Sequence, residues 1–96
     1  MLTFAIDFDG TFTACPELWK SFIANVISLG HRVIIVTARQ STPENRSDVG
    51  DFLDQNDFKL RVFYTSHSSK IWFMQRQGIK VDIWIDDDPT TLVNGH

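Results

Sequence analysis

The run RVIIVT, Arg32 to Thr37, decides the fold. Four successive β-branched apolar residues make a stiff extended segment with no polar face. A strand wetted on one side alternates apolar and polar residues; one covered on both sides need not. RVIIVT is therefore expected inside a parallel sheet, with helices above and below it.

The flanking segments agree. Leu2 to Phe8 reads as a strand. Pro16 to Leu29 reads as a helix, with Pro16 in its first turn, Leu18, Phe22, Val26 and Leu29 at helical spacing, and Gly30 ending it. After RVIIVT come a turn at Ser41-Thr42-Pro43, a helix from Glu44 to Gln55 carrying Val49, Phe52 and Leu53, and a strand from Leu60 to Tyr64. Ser68 or Ser69 can cap a third helix running to Gln77 and closed by Gly78, and Asp82 to Ile85 is a fourth strand. The tail, Pro89 to His96, reads as a short helical turn or a loose end. This alternation predicts one α/β domain over residues 1–96, a Rossmann-like three-layer fold whose parallel sheet has about four strands joined by right-handed crossovers. Trp19, Trp72 and Trp84 are expected to cover the sheet rather than to stack on bases.

Composition narrows the class. Ninety-six residues, 43% hydrophobic and 22% charged, suit one soluble globular domain. No apolar run approaches the ~20 residues of a membrane span, so no membrane partner is expected. Met1 leads straight into a strand-like run without a basic and apolar leader. The single cysteine, Cys15, cannot close an intramolecular disulfide; it suits the reducing cytoplasm and reads as a small apolar filler. A core this small has a thin stability margin, which leaves a homo-oligomer open.

The net charge of −3 conceals an uneven distribution. Five of the 12 acids (Asp7, Asp9, Asp86, Asp87 and Asp88) fall in two short motifs, leaving 9 basic residues against 7 acidic ones elsewhere. Strands covered on both faces cannot hold unpaired charges along their length, so polar groups must gather where strands exit. The first strand exits into Asp7-Phe8-Asp9-Gly10-Thr11, RVIIVT into Ala38-Arg39, and the fourth strand into Asp86-Asp87-Asp88. In a parallel sheet these exits share one edge, where open α/β sheets bind ligands. Converging carboxylates repel unless a hard cation lies between them, and Mg²⁺ takes such oxygens while also binding phosphate. Thr37 and Lys70 add a hydroxyl and an ammonium, a set suited to a phosphoryl group. Gly10 lets the chain curl so that a backbone carbonyl can face the metal.

DFDGT at Asp7–Thr11 resembles the first motif, DxDG[TV], of the haloacid dehalogenase-like hydrolases. VIIVTAR resembles their second motif, with Thr37; Lys70 before a helix resembles the third; DIWIDDDP resembles the acidic fourth in its tandem-aspartate form. The four follow in order over residues 2–88. The resemblance implies a phosphatase in which Asp7 attacks phosphorus to give an aspartyl-phosphate, and Asp9 protonates the leaving oxygen and then activates water. It implies Mg²⁺ held by the Asp7 carboxylate, the Asp9 backbone carbonyl and Asp86, with Asp87 in support, and phosphoryl oxygens held by Thr37 and Lys70. Gly10, Thr11 and Arg39 are placed at the substrate.

Plainer readings stand beside these. Asp9-Gly10 alone is common in tight turns. Arg39 can meet substrate or pair with acids of the 44–54 helix. Asp88 is either solvated before Pro89 or supports the metal. His67 can reach the site from its loop but reads better as a surface residue, and His31 and His96 carry no signal. The EF-hand spacing fails, and no Walker or dinucleotide glycine pattern is present.

The family's extra cap domains enter after the first motif or between the second and third. Thr11 to Pro16 is too short for one, and the second interval holds only a helix and strand that the core needs. The chain therefore resembles the capless members, whose open site admits large phosphorylated substrates or a partner subunit. With no broad basic surface, nucleic acid enters only as a substrate, its phosphorylated end met by Arg39 and Arg46, as in a polynucleotide-end phosphatase or nucleotidase. A non-catalytic receiver-like module is the rival class. There the acidic pair follows the first strand, whereas here it comes last.

Overall fold

A computed structural model of the chain describes residues 1–94. His96, and with it the end of the tail read from sequence, lies outside the described residues. The elements are β1 (Thr3–Ile6), a 3-10 turn (Phe12–Ala14), α1 (Pro16–Ser28), β2 (Arg32–Thr37), α2 (Pro43–Gln55), β3 (Val62–Tyr64), α3 (Lys70–Arg76), β4 (Ile83–Ile85) and α4 (Thr90–Val93). All strand pairs are parallel, in the order β3-β2-β1-β4. Ala5 of β1 pairs with Ile34 on one side and Trp84 on the other.

RVIIVT is the strand that the two apolar faces demand. Val33 and Ile35 pack with Ile23 and Val26 of α1 and Val49 and Leu53 of α2. Ile34 and Val36, pointing the other way, pack with Met74 of α3 and Phe63. Helices thus cover both faces, giving three layers. From β1 the chain steps outward to β2 and β3, then returns past β1 to β4. Its direction reverses between β1 and β4, and a crevice opens at their carboxyl ends, where such folds bind ligands.

β1 ends at Ile6 rather than Phe8, because the chain turns at once: Phe12 N–H donates to Asp7 C=O (3.0 Å) and Thr13 N–H to Phe8 C=O (3.1 Å). α2 starts at Pro43, held by Thr42, whose side chain accepts from the Asn45 N–H. Ser69 caps α3 by accepting from the Trp72 N–H. β3 begins only at Val62, and β4 at Ile83.

Three expectations are corrected. The inward stripe of α1 is Trp19, Phe22, Ile23 and Val26, while Leu18 and Leu29 are 56% and 67% exposed. Leu18 lies one residue, about 100° of helix, from Trp19, and Leu29 is the helix's C-cap. Trp72 is half exposed, because α3 buries its Lys70 and Met74 side and Trp72 projects elsewhere, beneath the Arg76 guanidinium. Cys15 is exposed at the entry to α1, with Glu17 its hydrogen-bond acceptor, and fills no core space.

Candidate functional site

Asp7 leaves β1 and Asp86 leaves β4 side by side, since Ile6 and Ile85 are paired in the sheet. Carboxylate oxygens of Asp7, Asp86 and Asp87 all lie within 4.8 Å of one another. They face a cleft of about 230 Å³ that Asp9, Lys70 and Asp88 also line. A larger apolar groove of about 390 Å³ lies between α1 and the α2–β3 loop, lined by Ile23, Ile27, Phe58 and Leu60. Among the described residues it gathers no comparable set of acids, which makes the smaller cleft the candidate site.

Lys70 is the first residue of α3 and is 1% exposed. Its Nζ lies 2.7 Å from Asp7 Oδ1 and 2.6 Å from Asp86 Oδ2. A buried ammonium needs such partners, because unpaired charge is costly away from water. The balance is still negative: three carboxylates meet one ammonium. Burial is the main force on Asp7 and pushes its pKa up to about 6, against the pull of Lys70. An all-oxygen set with this excess of charge fits a hard divalent cation better than a soft one.

Thr11 organises the acids. It is buried, and its hydroxyl lies 2.8 Å from Asp87 Oδ1 and 3.2 Å from Asp7 Oδ2, while accepting from the Asp87 N–H at 3.1 Å. Trp19 Nε1 secures the same loop by donating to the Thr11 carbonyl at 2.9 Å. Gly10 has φ +79°, and a Cβ there would stand 2.7 Å from Asp87 Oδ2. Glycine is thus required twice, by conformation and by space.

Asp9 lines the same cleft but is not one of the three acids that meet. Both its oxygens accept from Arg39, Oδ2 from Nε at 2.9 Å and Oδ1 from Nη2 at 2.8 Å. Arg39 also reaches Asn45 Oδ1 (3.3 Å) and Asp48 Oδ2 (3.5 Å) on α2, so the pairing with helical acids read from sequence is present. Thr37 is fully buried at the end of β2, and its Oγ1 accepts from the Arg39 N–H at 3.3 Å. Asp88 supports from both ends: its N–H donates to Asp86 Oδ1 (2.9 Å), and its carboxylate accepts from the Thr90 hydroxyl (2.6 Å). His67 is exposed, with its backbone N–H donating to the Ala38 carbonyl.

Two contributions escaped sequence reasoning. Thr91 donates to Asp86 Oδ2 (3.2 Å) from α4, a segment whose short sequence carries no signal beyond Pro89. The Asp9–Arg39 fork was missed because it joins the exits of two different strands, 30 residues apart. Comparison with protein-family models, curated proteins and solved structures finds no significant match.

Proposed function

We propose that the chain is a Mg²⁺-dependent phosphomonoester hydrolase of the haloacid dehalogenase-like type, working through an aspartyl-phosphate on Asp7. The observation that carries this reading is the meeting of Asp7, Asp86 and Asp87 within 4.8 Å, with Lys70 bridging the first two. Asp7, Asp86 and Asp87 would hold the ion, with the Asp9 backbone carbonyl as the resemblance implies. When bound, Mg²⁺ offsets the negative charge of these carboxylates and of the phosphoryl oxygens.

The protein's own groups do the rest. Asp7 attacks phosphorus through its carboxylate and forms the acyl-phosphate bond as the ester P–O bond breaks. Asp9 gives its proton to the departing oxygen. It then takes one from water, which attacks phosphorus, releases inorganic phosphate and regenerates the Asp7 carboxylate. Lys70 keeps Asp7 oriented and stabilises the phosphoryl oxygens, a task that the resemblance shares with Thr37. Beyond Asp9 the cleft is open: only the 3-10 turn separates β1 from α1, and only α2 and β3 separate β2 from α3. An open site suits a phosphate on a large molecule, in the cytoplasm.

The test is hydrolysis of an aryl phosphate with and without Mg²⁺. Turnover should vanish with chelator and with Asp7→Asn. No turnover of any phosphomonoester by protein with Mg²⁺ bound overturns the reading.

A further inference from the structure

Asp9 presents an unexplained geometry. It lies two residues from Asp7 and lines the same cleft, yet its carboxylate is absent from the cluster formed by Asp7, Asp86 and Asp87. Arg39 accounts for this. Its guanidinium grips both Asp9 oxygens in a fork, at 2.9 and 2.8 Å. The guanidinium is itself fixed from behind, by Asn45 Oδ1 and Asp48 Oδ2 on α2 and by the Phe8 ring 5.4 Å beneath it. Phe8 is 3% exposed and belongs to the core, so the fork stands on a rigid base.

We propose that Arg39 is a positioning residue that keeps the Asp9 carboxylate out of the metal-binding cluster and at the mouth of the cleft, where its ionised form can take the proton of the attacking water. This rests on the phosphatase reading for its catalytic part alone. A fourth carboxylate free to swing inward would join a cation site that already gathers three, and would then be unavailable to the attacking water. A bidentate guanidinium prevents this in a way that lysine cannot, because an ammonium offers a point charge rather than a planar fork.

A metal-binding cycle tests the structural half without any turnover. Mg²⁺ affinity is measured by calorimetry for wild type, Arg39→Gln, Asp9→Asn and the double variant. Released Asp9 should raise Mg²⁺ affinity about tenfold in Arg39→Gln, in line with what outer residues contribute at metal sites. That gain should disappear when Asp9 is already Asn. An equal gain in both backgrounds is a simple charge effect and overturns the proposal, as does no gain at all. Arg39→Lys, which keeps the charge and spares the fold, should show a smaller gain with the same dependence on Asp9.

Kinetics test the catalytic half. With a dinitrophenyl phosphate, whose leaving oxygen needs no proton, Arg39→Gln should release its first equivalent of phenol as fast as wild type and then turn over about 10²-fold more slowly, because the attacking water is no longer activated. A slowed first turnover as well, or a change confined to KM, makes Arg39 a phosphate ligand or a structural residue instead. If wild type does not hydrolyse this ester while the metal cycle behaves as expected, the phosphatase reading fails and the positioning role stands.

Discussion

Thr11 and Asp87 hold each other through two hydrogen bonds, the Thr11 hydroxyl donating to Asp87 Oδ1 at 2.8 Å and accepting from the Asp87 N–H at 3.1 Å. The first of these is the leading reason that the Asp87 pKa falls below the usual carboxylate range. Thr11→Val keeps the shape and removes both bonds. It should cost about 1–2 kcal/mol of stability and lower Mg²⁺ affinity roughly tenfold. Thr11→Ser should restore most of each, and calorimetry with thermal melts reads both.

Gly10→Ala combines backbone strain at φ +79° with a Cβ 2.7 Å from Asp87 Oδ2. Gly30 is its control, because φ there is +87° and nothing lies within 4 Å of an added Cβ. Each substitution should lower stability by about 1–2 kcal/mol through the left-handed backbone. Only Gly10→Ala should also weaken Mg²⁺ binding, by displacing Asp87. Equal metal affinity in the two variants would remove Gly10 from the site.

Lys70→Met leaves Asp7 and Asp86 without the ammonium that lies 2.7 and 2.6 Å from them. Breaking such a buried set from one side should destabilise the chelator-treated protein by about 3–5 kcal/mol at neutral pH. Acidification, which neutralises the stranded carboxylates, should recover part of this, and so should Mg²⁺. A melt insensitive to both would show that Lys70 is not holding the acids.

Asp7 makes stability depend on pH with a definite sign. Its folded pKa is raised from 3.8 to about 6, so between these values the folded protein holds a proton that the unfolded chain has lost. Unfolding therefore becomes easier as pH rises through that window, at most about 1.4 kcal/mol per pH unit for this group. Asp82 and Asp87, whose pKa values are lowered, act in the opposite sense and lose their contribution as pH falls. The comparison with Asp7→Asn isolates Asp7. Without metal, the variant should melt above wild type at pH 7 by an amount that shrinks towards pH 4. A gap independent of pH would mean that Asp7 titrates normally.

The layers of the fold were legible because burial writes itself along the chain. Val33 to Val36 could only be covered on both faces, and they are. The gathering of Asp7, Asp86 and Asp87 was legible for the same reason, since the acids had nowhere to lie but beyond the strand ends. Rotation about a helix axis was not. Leu18 and Trp19 are both apolar, and only packing against Phe12 and Phe22 selects Trp19. Side-chain partnership was equally hidden: nothing in DFDGT says that the second aspartate turns to Arg39 while Thr11 turns to Asp87. Local sequence tells where a carboxylate emerges, and long-range geometry tells what it meets.

β4 is a three-residue strand paired on one side only, with Ile83 38% exposed, and it supplies Asp86 directly and Asp87 just beyond. A short edge strand of the sheet thus leads into two of the three acids that meet. A cation shared by Asp7 and Asp86 would act as a clasp between the beginning and the end of the chain. Amide hydrogens of β4 would then exchange with solvent more slowly when the clasp is shut, and their exchange rate would report occupancy of the cleft without any substrate.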